Sequence, residues 1–323
     1  MKKQLLIGLA GAVAALMIQG CAPTSYKVKS PTPSDLVYSS TQASEAITLS
    51  MRDARAEADK NFSFGILKAN LLLDGKAINP VVYLKENSIK ELNARGINTQ
   101  EASAGNVDVA VKKLYIRNHR ATGFSPFVTL SWFSADVKTA KGNQRMGIFI
   151  KRGKVPVWSF DEVIDPTFNE PLSLLVKEFS AKVNRLTANQ AISDEQVASL
   201  VAAVNAQPAA TDAYIKVYQL GFGNNKSAIK SLVGFTKHSD EYIRLAAISS
   251  LGILQADSEL PLLKTLYAGG TLWQDRAMAL KAICDLATPD ALAIAKQVKA
   301  DLDKSGKTDT DTQWLKEILN MYL

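Results

Sequence analysis

The stretch Val107-Asp108-Val109-Ala110-Val111-Lys112 decides the fold. Valine alternates there with smaller or charged residues, the period-two pattern of a half-buried strand. Two more strand candidates follow at 127–137 and 146–150, joined by the polar, glycine-containing hairpin loop Lys138-Thr139-Ala140-Lys141-Gly142-Asn143. Upstream, residues 46–51 form a short strand candidate, and 64–73 an apolar run ended by the turn signal Asp74-Gly75. Between these and Val107, Asn79 suits a helix N-cap and Pro80 the first helical position. Val81, Leu84, Ile89 and Leu92 give that helix an apolar stripe, and Gly96 stops it after Arg95. After Pro171, the spacing of Leu172, Leu175, Val176, Phe179 and Val183 predicts a second amphipathic helix. The expected fold class is α+β: a small antiparallel sheet with both helices on one face, spanning residues 45–188. An all-α region follows at 189–323.

The N-terminus carries a different kind of signal. Lys2 and Lys3 precede an apolar run at 5–18, which closes on Ile18-Gln19-Gly20-Cys21. The run is shorter than the ~20 helical residues that cross ~30 Å of hydrocarbon, and it has the cationic flank of a secretory signal. A small residue before a lone cysteine resembles the lipobox of bacterial lipoproteins. That resemblance implies cleavage between Gly20 and Cys21, leaving a signal peptide at 1–20 and a covalent lipid on Cys21. Ala22 in place of an aspartate implies sorting to the outer membrane, periplasmic face. Residues 22–44 hold Pro23, Pro31 and Pro33 among Ser, Thr, Lys and Gln, so 21–44 reads as a lipidated flexible tether of roughly 25 Å reach.

Composition narrows the rest. At 47 % hydrophobic and 21 % charged, the chain is of ordinary globular make-up. With Cys21 committed to lipid, Cys284 is left inside an apolar helical pattern as a small core residue, and one mature chain has no disulfide framework. The formal charge of +7 drops by two when Lys2 and Lys3 leave, a mild excess. The envelope address argues against a nucleic-acid partner.

Residues 45–187 resemble YajG-like bacterial lipoproteins. The likeness rests on Asp53-Ala54-Arg55 after the first strand, Leu92-Asn93-Ala94-Arg95-Gly96 closing the first helix, and Val107-Asp108-Val109 leading to Leu114-Tyr115. It implies a small α/β envelope protein with an accessory role in transport or assembly, and no particular reaction. Residues 193–322 resemble HEAT-like helical repeats. The strongest match is Asp240-Glu241-Tyr242-Ile243-Arg244-Leu245-Ala246-Ala247, with Arg276, Ala279 and Ile283 in the next repeat. Small alanines there let neighbouring helices approach, and each helix pair must stack on the next to bury its apolar face. Asp240, Arg244 and Arg276 are expected to cap helices and bridge repeats.

Sites for chemistry are sparse. The two histidines, His119 and His238, lack ligand-spaced neighbours, so no metal site and no Ser-His-Asp arrangement is expected. Asp161, Glu162 and Asp165 read as a solvated loop, and no phosphate-loop or dinucleotide fingerprint occurs. The least ordinary feature is a basic run through the strands, from Lys112, Lys113, Arg117 and Arg120 to Lys138, Lys141, Arg145, Lys151, Arg152 and Lys154. Either it meets anionic lipid or an acidic partner, or it is a solvated face whose charges discourage edge pairing. The expected protein is a non-enzymatic, cofactor-free adaptor, tethered to the membrane by lipid and engaging an envelope protein. The alternative is a peptidoglycan- or lipid-binding module; an envelope hydrolase is the least favoured reading.

Overall fold

The alternation at Val107 opens a strand longer than the motif itself. Val107–His119 (β7) pairs antiparallel with Phe127–Thr139 (β8), and β8 with Gly142–Lys154 (β9). The computed structural model describes residues 24–39, 45–66, 69–120, 125–154 and 164–323. The signal stretch, Gly20, Cys21, Asp161 and Glu162 lie outside the described residues.

The main sheet is mixed rather than antiparallel. Ile47–Asp53 (β2) and Ser63–Gly65 (β3) both run parallel to β7, one near each of its ends, and Thr99–Glu101 (β6) runs parallel to β2. Alternation reveals which residues share a face but is blind to strand direction, which connection length decides. Pro80–Ala94 (α1) is long enough to carry the chain back for the parallel β6. Its N-cap is Asn79, whose side chain accepts from the Val81 and Val82 amides, and Gly96 follows its last turn at φ +91°.

The expected tether is also corrected, because residues 24–39 are packed. Thr24–Lys27 (β1) pairs parallel with Ala69–Leu73 (β4), which makes a hairpin with Lys76–Ala77 (β5) through Asp74 and Gly75, both at positive φ. Tyr26, Val28, Leu36 and Tyr38 are buried, and the Ser39 amide donates to the Ala191 carbonyl at 2.8 Å. Proline and serine set the overall composition of this segment. Two alternating apolar pairs, 26/28 and 36/38, nevertheless supply the side chains that an extended segment needs to dock.

Helix α1 and Glu170–Leu186 (α2) cover one face of the main sheet, where Phe179 meets Phe133 edge-on at 5.6 Å. The other face carries Tyr115, Trp132 and Phe149, with the Trp132 and Phe149 rings 4.6 Å apart. Eight helices follow α2: Asp194–Ala206 (α3), Ala213–Phe222 (α4), Ile229–Phe235 (α5), Glu241–Ile253 (α6), Leu260–Gly269 (α7), Trp273–Leu286 (α8), Pro289–Lys304 (α9) and Thr310–Tyr322 (α10). Helices α4, α6, α8 and α10 stack as one layer, with α3, α5, α7 and α9 against it. Close approach fixes that stack. A Cβ on Gly252 would lie 2.6 Å from the Ala282 Cα, and one on Gly221 would meet Ser250 at 2.5 Å.

The helical layer also closes the sheet. The outer backbone groups of β9 would otherwise be an unpaired edge. Lys182 of α2 and Tyr322 of α10 donate to the Gly147 carbonyl, at 2.6 and 3.0 Å, and the Tyr242 hydroxyl serves both the amide and the carbonyl of Gly153. Both β9 positions are glycine because the tyrosines approach too closely for a side chain: a Cβ on Gly147 would sit 2.5 Å from the Tyr322 ring. Residues that the sequence divides at 188/189 therefore share one hydrophobic core.

Candidate functional site

Arg55 and Arg95, the arginines of the motifs behind the resemblance, are both engaged inside the fold. Arg55 forks onto Asp53 at 2.7–2.8 Å and donates to the Leu114 carbonyl, tying the end of β2 to β7. The Arg55 hydrogen bonds hold the Asp53 carboxyl below its ordinary range. Arg95 is completely buried. It pairs with Glu91 at 2.7 Å, donates to the Tyr38 hydroxyl at 2.7 Å, and reaches the carbonyls of Phe222 and Lys177. Ser34 closes the arrangement on Glu91 through its hydroxyl and its amide. Burial alone would raise the Glu91 carboxyl, but the Arg95 charge and the Ser34 hydrogen bonds outweigh it and keep it low. One arginine thus joins the 24–39 segment, α1, α2 and α4. Its role is to hold the fold.

The basic run divides in two. A bulge between Val111 and Lys113 places Lys112 and Lys113 on the same sheet face as Tyr115 and Arg117. Lys113 is then taken by Glu317 of α10, which also accepts from Tyr115 at 2.9 Å. Lys151 is taken by Glu241, and Arg152 by Glu170 while lying between Tyr214 and Tyr242 at 4.9 and 4.4 Å from their ring centres. The other half stays open to solvent: Asp136 holds Arg145 at 2.7 Å and Lys112 more loosely at 3.7 Å, with Arg52 and Lys138 exposed beside them. Arg117 is exposed at the far end of β7, its guanidinium 5.9 Å from the Tyr115 ring centre, and Arg120 donates to the Ser125 carbonyl and lies over Phe127.

At the open half the sheet end forms a cleft of about 750 Å³, lined by Ser50, Arg52, Asp108, Lys138 and the 103–106 loop. A smaller hollow of about 350 Å³ adjoins it and shares Arg52, Asp108 and Lys138. Asp108 accepts from the Ser50 hydroxyl at 3.2 Å and Glu101 pairs with Lys85, so the lining mixes two held carboxylates with the exposed cations Arg52 and Lys138. The arrangement suits a polar, hydrogen-bonding ligand better than an apolar one.

A second cluster gives no local sequence motif. Glu178 and Lys182 on α2 face Lys281 and Asp285 on α8, all four side chains buried. Lys182 lies 2.6 Å from Asp285 and 2.9 Å from Glu178; Lys281 lies 2.6 Å from Glu178, 2.9 Å from Asp285 and 2.8 Å from the Ser249 hydroxyl. Tyr322 donates to Asp285 at 2.8 Å. Burial pushes Asp285 up, but the two ammonium groups more than reverse this and hold it below its ordinary value. Burial likewise opposes the charge on Lys281, and Asp285 and Glu178 together keep that pKa raised. Two acids alternate with two bases, so the four charges cancel in a cluster closed to solvent, with Glu178 Oε2 left without a hydrogen-bond donor among the described residues. The available signal was an acid/base pair at i,i+4 on the apolar face of each helix, a spacing that Glu91 and Arg95 repeat.

Among the remaining residues that the sequence singles out, Asp240 and Arg244 make the expected cap and bridge, whereas the buried Arg276 Nε has no hydrogen-bond partner among the described residues. Asp240 caps α6, accepting from the Ile243 amide at 3.0 Å. Arg244 reaches Asp275 of α8 at 3.0 Å and the His238 carbonyl at 2.9 Å, bridging successive helix pairs. Arg276 is half-buried in the first turn of α8, its stem beside Gly270. His119 stacks edge-on against Trp314, and the His238 Nδ1 accepts from the Asp240 amide. Asp165 accepts from Asn169. Cys284 is buried, and burial pushes its thiol well up. Among the described residues no three His, Cys, Asp or Glu side chains converge as a metal-holding group.

Compared with known proteins, the chain matches no family model and no curated protein sequence.

Proposed function

We propose that this is a lipid-anchored, non-enzymatic interaction protein of the cell envelope, an adaptor or accessory subunit of an assembly or transport machine at the periplasmic face of the outer membrane. The address rests on the lipobox at Cys21, and the class of role on the likeness to YajG-like lipoproteins and HEAT-like repeats. The observation that carries the reading is where the charges go. Lys113, Lys151 and Arg152 are spent on ion pairs that join sheet to helices, and Arg55, Arg95 and Lys182 on pairs elsewhere inside the fold. What remains for a partner is the outside of a rigid body: the open sheet end and the outer helical layer. Crosslinking followed by affinity recovery from membranes tests this with the wild type and Cys21→Ser. One partner recovered from both, in lower yield without lipid, is the expected result; no partner from either form defeats the reading.

The polar cleft favours a second reading, a module for peptidoglycan or anionic lipid. Saturable binding of purified cell wall or anionic vesicles by the Cys21→Ser chain, lost in Arg52→Glu/Lys138→Glu, would select it over the adaptor. Equal binding by both chains would remove the cleft from consideration.

A further inference from the structure

The structure assigns a direction to the anchored molecule: we propose that the sheet end bearing Ile66, Arg117 and Arg120 is a contact rim for anionic lipid headgroups, pressed to the bilayer by the lipid on Cys21. The inference rests on the lipoprotein reading and adds what that reading lacks, the face turned to the membrane. Its first support is chain length. Only Ala22 and Pro23 separate Cys21 from Thr24, where β1 begins. Three residue steps span at most ~11 Å, less than half the reach of a free tether.

The second support is where β1 begins. Thr24 is paired with Ala69, the Ala69 amide donates to the Ser63 hydroxyl at 3.2 Å, and Ser63 is paired with Ile116 of β7. With neighbouring strands ~4.8 Å apart, Thr24 lies roughly 15 Å across from Ile116, three residues before the C-terminal end of β7. Ile66 sits at that end, its amide bonded to the Asn118 carbonyl, and is 55 % exposed, one of the few large aliphatic side chains so displayed among the described residues.

Charge is the third support. Lys27, on β1 itself, and Arg117 are exposed, and the Arg120 guanidinium lies 4.7 Å over the Phe127 ring. Two of the three carboxylates on the segment leading into β3 are balanced locally, Asp53 by Arg55 and Glu57 by Lys60, and Asp59 is exposed. Cations beside an exposed aliphatic side chain form the mixture that sits at an anionic bilayer interface, worth about 1 kcal/mol per basic residue near the surface. The hairpin tip at Lys141 lies at the other end of the sheet. Thirteen residues of β7 at ~3.4 Å each put it, and the polar cleft, roughly 40 Å away. The anchored protein therefore stands with its cleft turned from the membrane, toward whatever it engages.

Labelled full-length lipoprotein in anionic liposomes tests the orientation. A fluorophore is placed on Ile66→Cys or on Lys141→Cys, Cys284 being buried, and the liposomes carry a headgroup-attached quencher. We expect the probe at 66 to lose most of its emission and the probe at 141 none. Adding Lys27→Glu and Arg117→Glu should restore emission at 66. Equal quenching at both positions, or quenching at 141 alone, overturns the inference. Mass spectrometry of the same sample separates the two failures. A Cys21 without lipid overturns the proposed function and this inference with it, whereas lipidated protein with an unquenched probe at 66 overturns this inference alone.

Discussion

The two halves of the sheet's cationic face have similar composition and opposite fates. Where helices cover it, Lys113 and Lys151 each find a carboxylate and lose most of their contact with water, and Arg152, on the opposite face of β9, pairs likewise with Glu170 of α2. Where it is open, Lys112 and Arg145 share Asp136 in solvent. A basic run in a sequence thus says little by itself. What decides whether such a run is a docking surface or an internal lock is which helices return to lie on it, and the partners of Lys151 and Lys113 return 90 and 204 residues later. The covered charges gain from low dielectric and from pairing that cannot be exchanged for water, while the open ones are screened.

That contrast orders the expected effects of mutation, each read as the change in unfolding free energy from urea titration. Asp285→Ala leaves Lys182 and Lys281 sharing one acid in a buried site, and should cost ~3–5 kcal/mol. Gly147→Val drives a side chain into the Tyr322 ring and should cost about 1–3 kcal/mol, with loss of the seal on β9. Arg152→Ala removes a guanidinium held between two tyrosines and should cost ~1–2 kcal/mol. Arg145→Ala in the open half should change stability by no more than about 0.5 kcal/mol. A large loss from Arg145→Ala, or a negligible one from Asp285→Ala, would erase the distinction between the halves.

Acid should expose the same distinction without mutation. Asp285 and Glu91 are held below their ordinary values of 3.8 and 4.5 when folded. Their contribution is therefore complete above the unfolded values and disappears as pH falls through the depressed ones. Stability followed by near-UV circular dichroism should be level toward neutrality and fall below about pH 4. In Asp285→Asn that acid-side fall should be shallower.

Much of the sheet was legible in the sequence. The alternation at 107–112, the Asn79-Pro80 helix start and the hairpin loop at 138–143 are local signals, and local physics settled them. Direction was not legible, because β2, β3 and β6 owe their parallel pairing to how the chain returns. Residues 24–39 were misread through composition: prolines and serines outnumbered the four apolar side chains that dock. The buried cluster was half legible. Glu178/Lys182 and Lys281/Asp285 are ordinary i,i+4 pairs on any helical wheel, and only their placement on apolar faces marks them as interior. That each pair needs the other is a fact of helix stacking, which no window of sequence holds.

The seal on β9 has a consequence in time. Gly147 and Tyr322, the residues that close it, are separated by 175 positions. A chain delivered N-terminus first presents three finished strands well before the side chain that covers their outer backbone groups has emerged. During that interval the strand is a template for any other extended segment nearby, including the same strand of a second newly made copy. Contacts so far apart in sequence also form slowly. Folding of this protein should accordingly be sensitive to its own concentration in a way that its finished, edge-covered state is not.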